Sequence, residues 1–182
     1  MSVVVRVASA ADAAAISHVR VASWRVAYRG LIAQEVLDGL DEVQEAERRA
    51  AGWDRYNADP RSVNVVAERG GEVVGWAAVG PAVDDDTEPD APERGQVFAV
   101  YAVPDAWGTG IGHALMVAAE EHLRAAGFTE AVLWVLEGNE RAARFYESHG
   151  WHEDGGTLVD DSLVGGVAAH ALHERRRVKT LG

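Results

Sequence analysis

Apolar positions along the chain recur with two periods, and the change between them marks the elements. Ser2 to Ala8 is a valine-rich run that predicts a first strand. Ser9-Ala-Ala-Asp12 has the form of a capping box, with aspartate in place of the usual glutamate. Ile16, Val19, Ser23 and Val26 then share a helical face until Gly30 ends the helix; Trp24 and Tyr28, four apart, share a face too, a spacing at which an aromatic pair is more often core than ligand contact. Gln34 to Leu40 predicts a short helical turn and Glu42 to Gly52 a charged surface helix, before Asp59-Pro60 breaks the chain. Val63 to Arg69 and Glu72 to Val79 flank Gly70-Gly71, a hairpin signal. Pro81 to Arg94, rich in acids and proline, reads as a solvated loop, either a plain surface insertion or a rim that attracts a cation.

The second half is more regular. The β-branched and aromatic run Val97 to Val103 stops at Pro104, and Ile111, Leu115, Ala118, Ala119 and Leu123 form the buried stripe of a helix capped by Gly127. Glu130 to Leu136 is a strand, Asn139 to Ser148 a shorter helix closed by Gly150, and Trp151 to Val159 and Gly166 to Val178 the last strands. A strand–helix–strand crossover among hairpins predicts an α/β fold: one mixed sheet with helices on both faces.

The 182 residues fit one domain, residues 1–182, with a sizeable core. There is no cysteine, which removes disulfides, thiolate catalysis and cysteine zinc sites. No apolar run approaches the roughly 20 residues of a membrane span, and the N-terminus lacks a secretory apolar segment, so a cytoplasmic protein is expected. A formal charge of −12 argues against nucleic acid. It favours a cationic small molecule or peptide drawn in by the field, unless the excess acid only keeps the protein soluble.

The chemistry concentrates where the central strand meets its helix. Gly108, Gly110 and Gly112 stand at alternate positions between Pro104 and the helical stripe. A glycine loop leaves amide N–H groups uncovered and the helix end adds partial positive charge, a seat for phosphate oxygens. The sequence Gly110-Ile111-Gly112-His113 lacks the lysine and hydroxyl of a P-loop. His113 also breaks a dinucleotide fingerprint, which belongs after a first strand rather than mid-chain.

Val-Tyr-Ala-Val-Pro104 followed by Gly-Thr-Gly-Ile-Gly112, then Leu133-Trp-Val-Leu-Glu-Gly-Asn139 and Ala142-Ala-Arg-Phe-Tyr146-Glu-Ser-His-Gly150-Trp151, resembles the GNAT superfamily of acyl-CoA-dependent N-acetyltransferases. Ser23-Trp24-Arg25 and Tyr28-Arg29-Gly30 look like the first helix of one bacterial branch. The resemblance implies a mixed sheet whose two central parallel strands splay apart, acetyl-CoA as cosubstrate with no metal, and direct transfer to an amine. It implies that Val100, Tyr101 and Ala102 lie along the pantetheine arm. Gly108, Thr109, Gly110, Ile111, Gly112 and His113 would hold the pyrophosphate. Asn139 would bond the cofactor arm, serve as a helix cap, or do both. Tyr146 would return a proton to the CoA thiolate, a role that suits a phenol with a pKa of about 10. Trp24 and Tyr28 would border the acceptor, between the first helix and the last hairpin, and a homodimer is the common assembly.

Two positions depart from the family pattern. Trp107 stands where the loop usually opens with glutamine or arginine, and the loop holds no cation, so binding through backbone amides and His113 should resist salt. Gln96 and Trp134 stand where relatives carry a carboxylate base, which leaves the base to Glu137, the acids of the 84–93 loop or water. Those gaps keep a second reading open, a CoA-binding module with weak or no catalysis. The pairs His149/His152 and His170/His173 point to opposite faces of a strand and make poor metal sites. Arg175 to Lys179 reads as a solvated terminal strand.

Overall fold

The computed structural model describes residues 2–83, 92–162 and 170–182. Their strands form one seven-stranded sheet in the order β1-β2-β3-β4-β5-β7-β6. These are β1 (Val3–Val7), β2 (Val63–Arg69), β3 (Glu72–Pro81), β4 (Gly95–Ala102), β5 (Glu130–Leu136), β6 (His152–Asp160) and β7 (Leu172–Thr180). The helices are α1 (Ala13–Ala27), α2 (Gln34–Asp38), α3 (Glu42–Ala51), α4 (Trp53–Tyr56), α5 (Ile111–Ala125) and α6 (Glu140–Ser148). The order of elements and the mixed sheet agree with the pattern of the sequence. Most of the 81–94 loop and the turn before β7 lie outside the described residues, as do the acids at 84–91.

Each face of the sheet carries its own core. Ile111, Leu115, Met116, Ala119 and Leu123 of α5 pack with Val65, Ala77, Val97 and Leu133 on one side. Ile16 and Val19 of α1 pack with Val66, Trp76 and Ala99 on the other. The start of α1 is fixed by charge. Asp12 accepts two bonds from the Arg6 guanidinium, at 2.9 and 2.8 Å, and one from the Ser9 N–H at 2.8 Å. Arg6, above all, holds the Asp12 carboxyl down at about 2. The capping box therefore forms, but on a 3-10 turn (Ala10–Asp12) that leads into the helix.

Two irregularities of β4 shape the centre of the sheet. It pairs with β5 in parallel over only three positions, Gly95 to Val97 against Ala131 to Leu133. Beyond them the two strands part. The ladder to β3 continues, but its register slips between Ala78 and Val79: Ala78 faces Ala99 while Val79 faces Val97. Phe98 is thus an extra residue, a β-bulge, and it is 45% exposed.

The C-terminal strand corrects an expectation. β7 lies inside the sheet, between β5 and β6, and Arg176 and Arg177 are only 8% and 4% exposed. Arg176 Nη2 meets Asp154 Oδ2 at 2.9 Å, and Arg177 meets Glu147 and Glu153 at 3.1 Å each. Carboxylates brought together from α6 and β6 neutralise what reads in sequence as a solvated basic run.

The ion cluster at the base of α5 is deeper still. Glu120, 6% exposed, accepts from Trp151 Nε1 at 3.0 Å, Arg124 Nη2 at 3.1 Å and Lys179 Nζ at 2.7 Å. It ties α5 to β7 and to the chain leaving α6. Glu120→Ala leaves the Trp151 indole N–H without a partner and the Lys179 ammonium with only the His149 carbonyl, so it should cost about 3–5 kcal/mol of stability. A urea titration checks this: the midpoint falls with the slope unchanged.

Candidate active site

Where β4 and β5 part, a cleft of about 730 Å³ passes through the sheet. Its walls combine β4 and β5 with the glycine loop, α6 and the end of α1. Backbone direction in β4 follows from its ladder. The Val103 N–H donates to Val74 O at 3.0 Å, so Val103 and Tyr101 turn their polar groups toward β3. By alternation Val100 and Ala102 turn theirs toward the gap. The Ala102 carbonyl is taken by the Trp107 indole N–H at 2.7 Å. The Val100 N–H and C=O and the Ala102 N–H therefore face the gap without a neighbouring strand. Tyr101 reaches the cleft by its side chain alone, stacked on Trp76 at 5.9 Å between centroids.

The glycine loop lies at the far side of this opening. Gly108 and Gly110 have φ of 72° and 90°, left-handed backbone that other residues enter only with strain. Gly110 is the N-cap of α5 and offers no side chain to the first turn, so the amides of Ile111, Gly112 and His113 are left to a ligand. Ile111 itself is fully buried in the α5 core, and Thr109 turns its hydroxyl back to Ala106 O at 2.7 Å. Both can serve only through their backbone. Gly112 lets α6 approach, since a Cβ there would stand 3.2 Å from the Phe145 ring.

The site also has cations that the loop sequence lacks. Arg141 of α6 lies flat over Trp107, its guanidinium carbon 3.3 Å from the ring centroid, and lines the cleft together with Arg144. The loop itself holds no cation; α6 supplies them to the cleft, and Trp107 holds one in place by a cation–π contact. The signal was present one helical turn before Phe145, with which Arg141 shares a face at i,i+4 spacing.

His113 is not isolated either. Its Nδ1 lies 3.0 Å from His149 Nε2, and His149 Nδ1 lies 2.8 Å from the Phe145 carbonyl. A carbonyl only accepts, so His149 carries its proton on Nδ1 and receives one from His113. This fixes the His113 tautomer with Nε2 as its free nitrogen. The pairing of His149 with His152 does not occur: His149 ends α6, and His170 meets Glu35 at 2.8 Å instead.

Three tyrosines from separate elements, Tyr28, Tyr101 and Tyr146, line the cleft. Burial, above all, raises the Tyr146 phenol well above its ordinary value, with Tyr101 adding to it and Arg177 opposing. Burial likewise raises Tyr28, helped by Tyr101, Tyr146 and Glu174. Both stay protonated at neutral pH. Trp24, expected beside the acceptor, is 2% exposed and belongs to the core; it meets the Tyr28 ring edge-on at 4.9 Å and supports it from behind. Asn139 caps α6, its side chain accepting from the Ala142 N–H at 3.2 Å, and it also lines the cleft.

The carboxylates sort themselves by partner. Glu137 is bound by Arg175 at 2.8 Å, which lowers its pKa and makes it a poor base. Gln96 is buried and accepts from the Val83 N–H at 3.2 Å, a structural bond. Glu174 on β7, opposite Leu136, escaped sequence reasoning; it lies outside the cleft lining, behind Tyr28, whose phenol feels its charge. Burial, with Asp160 behind it, pushes its carboxyl up to about 7. The sign that could have found it is alternation: Leu172, Arg176 and Val178 on the same strand face are buried.

Comparison with known proteins agrees with this geometry. The family described as "Acetyltransferase (GNAT) family" matches residues 27–151. A mycothiol acetyltransferase of Frankia alni is 41% identical over 112 residues, 59% of this chain and 31% of that protein. The chain thus spans about a third of the length of that relative. The uncharacterized N-acetyltransferase YuaI of Bacillus subtilis is 29% identical over 147 residues, 81% of this chain and 79% of that one. PaiA N-acetyltransferase from Thermoplasma acidophilum, solved in complex with coenzyme A, superposes with a TM-score of 0.71 at 18% identity, covering 99% of each chain.

Gly110→Val tests the loop. A Cβ at Gly110 meets nothing within 4 Å, so the fold has room for it, but the left-handed backbone is strained and the side chain stands over the free amides. Calorimetric titration with CoA should show binding lost while thermal unfolding stays cooperative. Normal affinity in the variant would remove the loop from the site.

Proposed function

The chain belongs to the GNAT family of acetyltransferases, and on that premise we propose that it transfers an acetyl group from acetyl-CoA to a primary amine of a small molecule or peptide. The reading rests on one observation above the others: β4 and β5 pair over three positions and then open onto a cleft lined by Tyr146. The residues present fit CoA. The Val100 and Ala102 groups that face the gap can take the place of a strand partner for an amide-bearing arm. The uncapped first turn of α5, with Arg141 and Arg144 across the cleft, suits phosphate.

Acetyl-CoA supplies a thioester whose carbonyl carbon accepts the amine nitrogen, the C–S bond breaking as the C–N bond forms. The free amides of β4 stabilise negative charge developing on the carbonyl oxygen, and they need no rearrangement to do so. Tyr146, kept protonated by burial, gives its proton to the departing sulfur. The proton lost by the amine leaves on the α1 face, toward Tyr28 and Glu174. Glu174 is the described carboxylate tuned to accept a proton near neutral pH. A CoA-binding module without catalysis is less well supported, because such a module has no need of a buried phenol beside the strand gap.

Tyr146→Phe should lower turnover by roughly 10²-fold with CoA affinity kept, measured as thiol release across an amine panel. Unchanged turnover would end the proton-donor role. The pH dependence of kcat/KM should rise through an inflection near 7, the value to which Glu174 is pushed, and Glu174→Gln should remove that inflection. Stability should carry the opposite sign. A carboxyl raised from 4.5 to about 7 by folding stabilises the protein fully below pH 4.5, and that contribution is lost as pH rises through 7.

A further inference from the structure

A second cavity, about 960 Å³, lies on the α1 face between α3 and α4 on one side and β2 to β4 on the other. It shares Phe98 and Ala99 with the cleft already described, so the two cavities adjoin at the bulge of β4. Aromatic rings form much of its wall: Trp53, Tyr56, Trp76 and Phe98.

Its charged groups are unevenly engaged. Glu45 is paired with Arg20, Asp59 with Arg61 at 2.9 Å and Glu35 with His170 at 2.8 Å. Asp41 caps α3, accepting from the Val43 N–H at 2.9 Å and the Gln44 N–H at 3.0 Å. Every lining carboxylate is thus occupied. Arg49 is different. Its guanidinium carbon lies 4.5 Å from the Trp76 ring centroid, its Nε is buried with no hydrogen-bond partner, and no carboxylate pairs with it among the described residues. Arg48, exposed on the preceding position of α3, has no ion-pair partner among them either. Burial withdraws water from Arg49 and the neighbouring Arg20 adds repulsion; both lower its pKa, against a smaller attraction from Glu45, which is already ion-paired with Arg20, and from Tyr56.

A half-buried guanidinium costs solvation that a ring face only partly returns, and its fork of donors matches a carboxylate. We propose that this cavity is the acceptor site, and that Arg49 recognises a carboxylate on the amine, making the acceptor an amino acid or a molecule that carries an amino-acid-like end. This rests on the acetyltransferase reading and deepens it. It also reverses what net charge suggests: the field of the whole chain favours cations, whereas the unpaired charges of the cavity wall are positive.

Ligand-observed NMR and calorimetry on the intact protein test it without any turnover. A panel of α-amino acids is titrated beside the matching amino-acid amides, which keep the amine and side chain and lose the carboxylate. At least one acid should bind about 10- to 100-fold more tightly than its amide, the loss of one charge-assisted bidentate contact. Arg49→Gln should abolish that preference and Arg49→Lys should restore part of it, with CoA affinity unchanged in both. Because Arg49 makes no hydrogen bond in the described fold, both variants should remain folded, and cooperative thermal unfolding checks this. Amides that bind as well as acids, no binding by any acid, or a preference surviving in Arg49→Gln each overturns the proposal. CoA titrated into the wild type reports separately on the cofactor: its failure to bind would sink the acetyltransferase reading and leave the carboxylate result standing.

Discussion

The parting of β4 from β5 is the constraint on which the site depends. A parallel pair would ordinarily run the length of both strands and satisfy its own backbone. Here it stops after three positions. The polar groups of Val100 and Ala102 are then surplus to the fold, and a surplus of buried backbone donors and acceptors is tolerable only where something else meets them. Trp107 takes the Ala102 carbonyl; the rest face the cleft. The sheet is therefore two half-sheets joined at a short seam, with β1 to β4 on one side and β5, β7 and β6 on the other. Outside the seam they are held by the apolar face of α5, which packs on Val65 and Ala77 of one half and Leu133 of the other, and by Glu120 with Lys179 and the buried indole of Trp151.

A ligand in that gap would complete the sheet as well as occupy it. The groups around the gap are arranged by the same logic from end to end. Backbone amides lie where a neutral arm and a carbonyl would run, uncapped helix amides with arginines of α6 lie where phosphate would sit, and protonated phenols stand between the half-sheets. Each group is kept in its state by something nearby. Burial keeps Tyr146 neutral, Trp107 orients Arg141, and the Phe145 carbonyl sets the His149 tautomer and through it that of His113.

Local pattern made most of the fold and half of the site legible. Strand and helix periods, Gly70-Gly71 and the glycine loop each act within a few residues, and most appear where expected. The short helix α4 is not foreseen, and the last strand runs Leu172–Thr180 where Gly166 to Val178 is expected, residues 163–169 lying outside those described. What could not be read was pairing at a distance. The arginines of β7 look solvated until Glu147, Glu153 and Asp154 are brought beside them. Trp24 looks like a substrate contact until the core closes over it, and Glu174 looks like one more surface acid until burial tunes it. Arg141 and Arg49 fall into the same class: whether an arginine is idle, paired or waiting depends on which acids the fold leaves for it.

The bulge at Phe98 has a consequence larger than its size. Strands encode direction by odd and even, and one inserted residue exchanges the two. Upstream, Val97 faces the α5 core; downstream, Val100 and Ala102 face it too, while Ala99 and Tyr101 face α1. Were Phe98 an ordinary paired residue rather than a bulge, every later position in β4 would turn over, and Val100 and Ala102 would spend their hydrogen bonds on β3. The insertion is thus a parity shift, and it decides which half of the strand's backbone is left for a ligand. It costs one exposed ring, and that ring stands where the two cavities meet.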